Sequence, residues 1–124
     1  MYSELILDHF RRPRNKGALE APDVSHEGVH ALCGDRIRIE IAIDHGRVAA
    51  ARFRGDACAI ATAAASLLTG MIDGREIEAA ESIADETMIA SLEAEVPAGR
   101  RGCALLPIQV MRRGITEWRE RTRP

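Results

Sequence analysis

The chain predicts a mixed α/β (α+β) domain: a small antiparallel sheet of about three strands, packed by helices and closed by a long carboxyl-terminal helix. Three observations carry that prediction. Ile37, Ile39, Ile41 and Ile43 alternate with Arg36, Arg38, Glu40 and Asp44, the period of two that marks a strand with one apolar and one wet face. A block rich in alanine then sets Ile60, Ala64, Leu67, Leu68 and Met71 on one side of a helix. Near the end, Ala104, Ile108, Met111, Ile115 and Trp118 recur at steps of four and three, a long amphipathic stripe. At 124 residues, positions 1–124 are expected to form a single domain.

The elements follow in order. Tyr2, Leu5, Ile6, His9 and Phe10 have helical spacing, Ser3 can cap them and Pro13 ends the pattern, so a short helix opens the chain. Arg12 to Gly17 reads as a loop. From Leu19 to Leu32 the periodicity is weak, with Val24 and Val29 marking a short edge strand. The isoleucine strand then turns at Asp44-His45-Gly46-Arg47 and returns from Val48 to Phe53 as a hairpin. Asp56 is the predicted cap of the alanine-rich helix, which stops at Asp73-Gly74. Shorter helices are predicted from Arg75 to Ala80 and from Asp85 to Leu92, with a loop over Val96 to Gly102. Because Pro107 is a poor residue for a helix interior, regular helix is predicted to begin near it and to leave Cys103 on the preceding turn.

Composition narrows the function. The chain is 46% hydrophobic and 29% charged but only 3% aromatic, so alanine, isoleucine and leucine must fill the core. A formal charge of -2 gives no footprint for nucleic acid. No apolar run reaches the roughly 20 residues of a membrane span, and the amino terminus does not read as a secretory signal, so a cytoplasmic location without membrane attachment is expected. Basic residues gather at Arg11, Arg12, Arg14 and Lys16 and from Arg112 to Arg123, acidic ones from Glu76 to Glu95. That segregation is consistent with a dipolar surface, with two solvated faces as the plainer reading and a docking patch for a protein partner as the alternative.

Three cysteines remain, an odd number that a reducing compartment would keep as thiols. Cys33, Cys58 and Cys103 all fall at element boundaries, where side chains from distant segments can meet. Thiolates select zinc, copper(I) and iron–sulfur centres, and three sulfurs with one harder ligand suit zinc or a small cluster. Asp35 is the nearest acid. Their spacing does not match paired zinc-finger cysteines, and three structural, buried cysteines are the plainer alternative. Cys58 near a helix amino terminus and Arg100 and Arg101 beside Cys103 favour reactive thiolates, which can also accept sulfur as a persulfide. Among the histidines, His9 and His45 are expected at the surface, with His26 and His30 as minor candidates for a metal.

Taken together, the motifs are specific enough to name a family. The chain resembles the IscU/SufU/NifU-type iron–sulfur cluster assembly scaffolds over nearly its whole length. Residues 2–10 with Pro13-Arg14-Asn15-Lys16-Gly17 resemble the opening of the SufU branch. Cys33-Gly34-Asp35-Arg36-Ile37 resembles the first ligand motif, residues 53–61 around Cys58 the second, and Cys103-Ala104-Leu105-Leu106 the third. The resemblance implies a site of Cys33, Asp35, Cys58 and Cys103, and either Cys103 or Cys33 is the expected first persulfide acceptor. It also implies a cysteine desulfurase as sulfur donor, Fe2+ and a transient [2Fe-2S] cluster as cargo, and apo iron–sulfur proteins as recipients. A homodimer is a further possibility it leaves open.

Two departures stand out. Gly102 occupies the position where many family members have His or Lys before the third cysteine, which makes Asp35 the leading fourth ligand. The interval between the second and third cysteines lacks the insertion usual in the SufU branch. Such a chain is expected to carry material rather than turn over a small substrate. The alternatives are a zinc-bound sulfur acceptor that activates a desulfurase and a structural zinc domain for protein interaction.

Overall fold

The computed structural model describes residues 2–123. Its elements are α1 (Glu4–Arg11), β1 (Val24–His30), β2 (Asp35–Asp44), β3 (Arg47–Arg54), α2 (Ala59–Ile72), α3 (Ile77–Glu81), α4 (Asp85–Ser91) and α5 (Arg101–Thr122), with a 3-10 turn at Ala98–Arg100 before the last helix. The strands form an antiparallel sheet in the order β1-β2-β3, as the sequence predicts. Helices α2 and α5 cover its apolar face, while α1 packs on α2.

β2 is the central strand, and its isoleucines explain why. Ile37, Ile39 and Ile41 are wholly buried under the helices, with Ile41 opposite Val24 on one side and Ala51 on the other. Ile43 is only half-buried because the register shifts between Ala42 and Ile43, which turns the strand end out of the core. The turn to β3 places His45 and Gly46 at positive φ, the geometry that matches the twist of a two-residue hairpin.

The second face of the sheet is less wet than its alternation predicts. Glu40 points there yet is buried, because its carboxylate accepts hydrogen bonds from the Leu19 N–H at 2.9 Å and the Ser25 hydroxyl and pairs with Arg54 at 3.1 Å. Burial opposes its ionisation, but those donors together outweigh burial and hold its pKa below the usual value. β1 is a full edge strand. Val24 is buried but Val29 is exposed, since residues five apart on a strand point to opposite faces.

α1 starts where Ser3 accepts a hydrogen bond from the Ile6 N–H. It is tied down by Ser66 of α2, which meets His9 Nδ1 at 2.7 Å and accepts the Arg14 N–H at 2.8 Å. His9 is therefore a packing residue rather than a surface one, and burial lowers its pKa. α2 is buried almost all round, not on one stripe: its alanines let α1, α5 and β3 approach together, and Ile60, Leu68 and Ile72 fill the gaps.

α5 also corrects the sequence reading. It begins at Arg101 and runs through Pro107, so Cys103 sits inside its first turn. The proline forfeits one helical hydrogen bond, the one its missing N–H would have donated to the Cys103 carbonyl. Tertiary burial of Ala104, Leu105, Leu106, Ile108 and Met111 compensates for that loss. A second stripe of α5 lies against β1, and glycines set the distance. A Cβ on Gly28 would come 2.5 Å from Val110 Cγ2, and one on Gly114 would come 2.6 Å from Val24 Cγ1.

The acidic and basic clusters do not stand apart as opposed faces. Arg112 pairs with Asp85 at 2.7 Å, Arg101 with Glu86 and Arg119 with Glu81, so α5 and the α3–α4 segment neutralise each other. Among the described residues, no helix is long and apolar enough to cross a membrane.

Candidate metal and sulfur site

Three chain segments converge at the turn end of the β1–β2 hairpin. In the antiparallel register His30 lies directly opposite Asp35, so both side chains rise from the same face of the sheet, the face that α5 covers. Residues 31–34 form the connection, with the Cys33 N–H donating to the His30 carbonyl at 3.2 Å and Gly34 at φ 70. One tight turn thus presents a nitrogen, a sulfur and a carboxylate together.

The second segment arrives through Gly55. Its φ of 145 is accessible chiefly to glycine, and a Cβ there would overlap the Arg36 carbonyl. This close approach lets the Arg36 N–H donate to the Asp56 carbonyl at 2.8 Å and lays residues 55–58 beside the start of β2. Asp56 therefore contributes its backbone and does not cap α2. Cys58 is the cap residue, and its N–H donates to Asp35 Oδ1 at 2.8 Å, while its Sγ lies 3.5 Å from Oδ2. Asp35, only 1% exposed, supplies from another strand the acceptor that α2 lacks locally.

The third segment is the first turn of α5. Cys103 points inward with no exposed surface, and its Sγ lies 2.8 Å from Cys33 Sγ and 4.0 Å from His30 Nδ1. Burial first, then hydrogen bonds with Cys33 and Asp35, pushes the Cys103 thiol well up in pKa. Arg100, in the turn before α5, has its own pKa raised by a hydrogen bond with Cys103 and by the charge of Cys58. All three cysteines are free thiols, Cys33 and Cys58 half-buried.

Ligand atoms of His30, Cys33, Asp35 and Cys103 lie within 4.8 Å of one another. Cys58 is not in that tight set but joins it through Asp35. So the structure brings Cys33, Asp35 and Cys103 together, places Cys58 against them and adds His30. The signal for His30 was present in His30-Ala31-Leu32-Cys33-Gly34-Asp35, but it is readable only once β1 is known to pair with β2 through His30. The donor set of thiols, imidazole and carboxylate fits a thiophilic ion such as zinc or iron, since each atom needs only small movement to share one centre.

The sequence family described as the NifU-like N terminal domain matches residues 1–124. The chain belongs to that family. Its relatives include the zinc-dependent sulfurtransferase SufU of Bacillus subtilis (strain 168), 41% identical over 83 residues that make up 67% of this chain and 56% of that protein. The iron-sulfur cluster assembly scaffold protein IscU of Azotobacter vinelandii is 34% identical over 124 residues, 97% of this chain and 95% of that protein. Among solved structures, a nitrogen-fixing NifU-like protein (N-terminal) from Brucella abortus superposes with a TM-score of 0.77, covering 97% of this chain and 95% of that one. At 20% identity this last likeness carries the fold alone. The resemblance drawn from the three cysteine motifs is thereby borne out, as is the α/β class with three antiparallel strands and a long last helix.

Proposed function

We propose that this NifU-like domain is a scaffold for iron–sulfur cluster assembly. It accepts sulfur from a cysteine desulfurase, gathers iron and a labile [2Fe-2S] cluster as cargo, and passes the cluster to apo-proteins in the cytoplasm. The observation that carries the reading is the convergence of Cys33, Asp35 and Cys103, with Cys58 held against Asp35, at one end of the sheet. The full-length likeness to an IscU scaffold supports it.

Sulfur delivery needs an accessible thiolate. A Cys33 or Cys103 thiolate attacks the outer sulfur of the desulfurase persulfide, a new S–S bond forms on the scaffold, and the desulfurase cysteine leaves as its thiolate. Of the two, Cys33 is half-buried in a turn and Cys103 is enclosed, so Cys33 is the first acceptor in this reading. Two electrons from an external reductant then cleave that S–S bond to give back the thiolate and release sulfide, and Cys33, Asp35, Cys58 and Cys103 hold the cluster it forms with iron. One carboxylate among thiolates is a harder, weaker partner for cluster iron, which suits a cluster meant to leave.

A second reading is a zinc-bound sulfur acceptor for a desulfurase, favoured by the local likeness to a zinc-dependent sulfurtransferase and by a donor set compact enough for one ion. Anaerobic reconstitution with iron, sulfide and a desulfurase decides between them. Visible charge-transfer bands with stoichiometric iron and acid-labile sulfide support the scaffold. Zinc that iron does not displace, with a faster desulfurase, supports the relay.

A further inference from the structure

We propose that His30 is a direct metal ligand of this site, and that Gly102 is the residue that admits it. The inference rests on the metal-binding reading above and concerns which atoms do the binding. His30 ends β1 opposite Asp35, two strands' worth of backbone fixing the pair in register, so its ring is aimed by the sheet and not by a free loop. Its nitrogen falls within the same 4.8 Å set as the Cys33 and Cys103 sulfurs and the Asp35 carboxylate, with Nδ1 at 4.0 Å from Cys103 Sγ.

Gly102 explains how the ring gets there. It precedes Cys103 in the first turn of α5, and a Cβ at this position would overlap the ring at Nε2 and come 3.0 Å from Cδ2 and Cε1. Any other residue at 102 would therefore push the imidazole out. A glycine in a helix is a cost relative to alanine, and here it sits where its lack of a side chain makes room for a ring beside two thiols. The other two histidines of comparable burial are engaged elsewhere, His9 with Ser66 and His26 with Glu117 at 2.9 Å. Imidazole is a stronger ligand than carboxylate for zinc and for iron next to sulfur, so His30 gives the site a fourth donor that does not depend on Asp35.

Zinc K-edge X-ray absorption on the zinc-loaded full chain tests this. The parent is expected to show the outer-shell scattering of a coordinated imidazole. His30→Ala is expected to lose it while still binding zinc, and His26→Ala to keep it. Gly102→Ala is expected to lose it as well, because its methyl displaces the ring. A zinc-bound parent without imidazole scattering, or scattering that survives in His30→Ala, overturns the assignment and leaves the metal-binding reading standing. Imidazole retained in Gly102→Ala overturns the role of the glycine. A parent that binds neither zinc nor ferrous iron overturns both the assignment and the reading beneath it.

Discussion

Replacing Asp35 tests how the site releases its cargo. In the proposed scaffold Asp35 is the weakest of the holding groups, and detachment of its carboxylate opens the cluster to an incoming thiolate. A hydrogen bond waiting in the pocket favours that detachment. Oδ1 already accepts the Cys58 N–H at 2.8 Å, so a carboxylate that leaves iron is not left unpaired in a buried site. A hydrogen bond to a charged group is worth about 1.5–3 kcal/mol. If that amount is what lowers the barrier to release, losing this route slows release by roughly 10-fold to 150-fold. In Asp35→Ala the iron keeps the His30 donor, whose nitrogen lies within the same 4.8 Å set, without the weaker carboxylate beside it. The assay is loss of the reconstituted cluster's visible absorbance to an apo-ferredoxin under anaerobic conditions. Asp35→Ala is expected to hold its cluster at least about tenfold longer than the parent, the low end of that range. The double variant with His30→Ala is expected to lose the gain. Equal or faster transfer from Asp35→Ala refutes the argument.

Three further expectations concern the frame. Gly28→Ala would set a methyl 2.5 Å from Val110 Cγ2 and is expected to cost about 1–3 kcal/mol by overpacking β1 against α5, whereas Gly70→Ala, in open space on α2, is expected to gain about 0.5–1 kcal/mol; thermal melts of both variants check the pair. His9 has a lowered folded pKa, so the unfolded chain takes up its proton first as pH falls below 6.5; stability is whole above that value and declines toward the folded pKa. His9→Gln is expected to flatten the denaturant midpoint across that window, and an unchanged slope would contradict it. Glu40→Ala leaves the Leu19 N–H without its acceptor and is expected to cost about 1–3 kcal/mol near neutral pH. Because the folded pKa of Glu40 lies below 4.5, its contribution is present above 4.5 and lost as pH falls through the folded value, so parent and Glu40→Ala melting temperatures should converge in acid.

Sequence alone determined the strands and helices whose apolar periods are strong. Ile37, Ile39 and Ile41 could face only one way, and the stripe from Ala104 to Ile115 could make only a helix, because each pattern is a local consequence of backbone geometry. The three cysteine motifs and the adjacent Asp35 were likewise visible as residue types. Tertiary structure decided the rest. It carried α5 back past Pro107 to Arg101, since burial of that turn outweighs a proline's local preference. It buried Glu40 by bringing Leu19, Ser25 and Arg54 to one carboxylate. It set the acidic segment against the basic helix, a pairing that charge counts along a chain do not contain. It also put His30 across from Asp35 and over Gly102, because strand register and helix approach are long-range facts, settled by which surfaces exclude water together and not by any neighbour in the sequence.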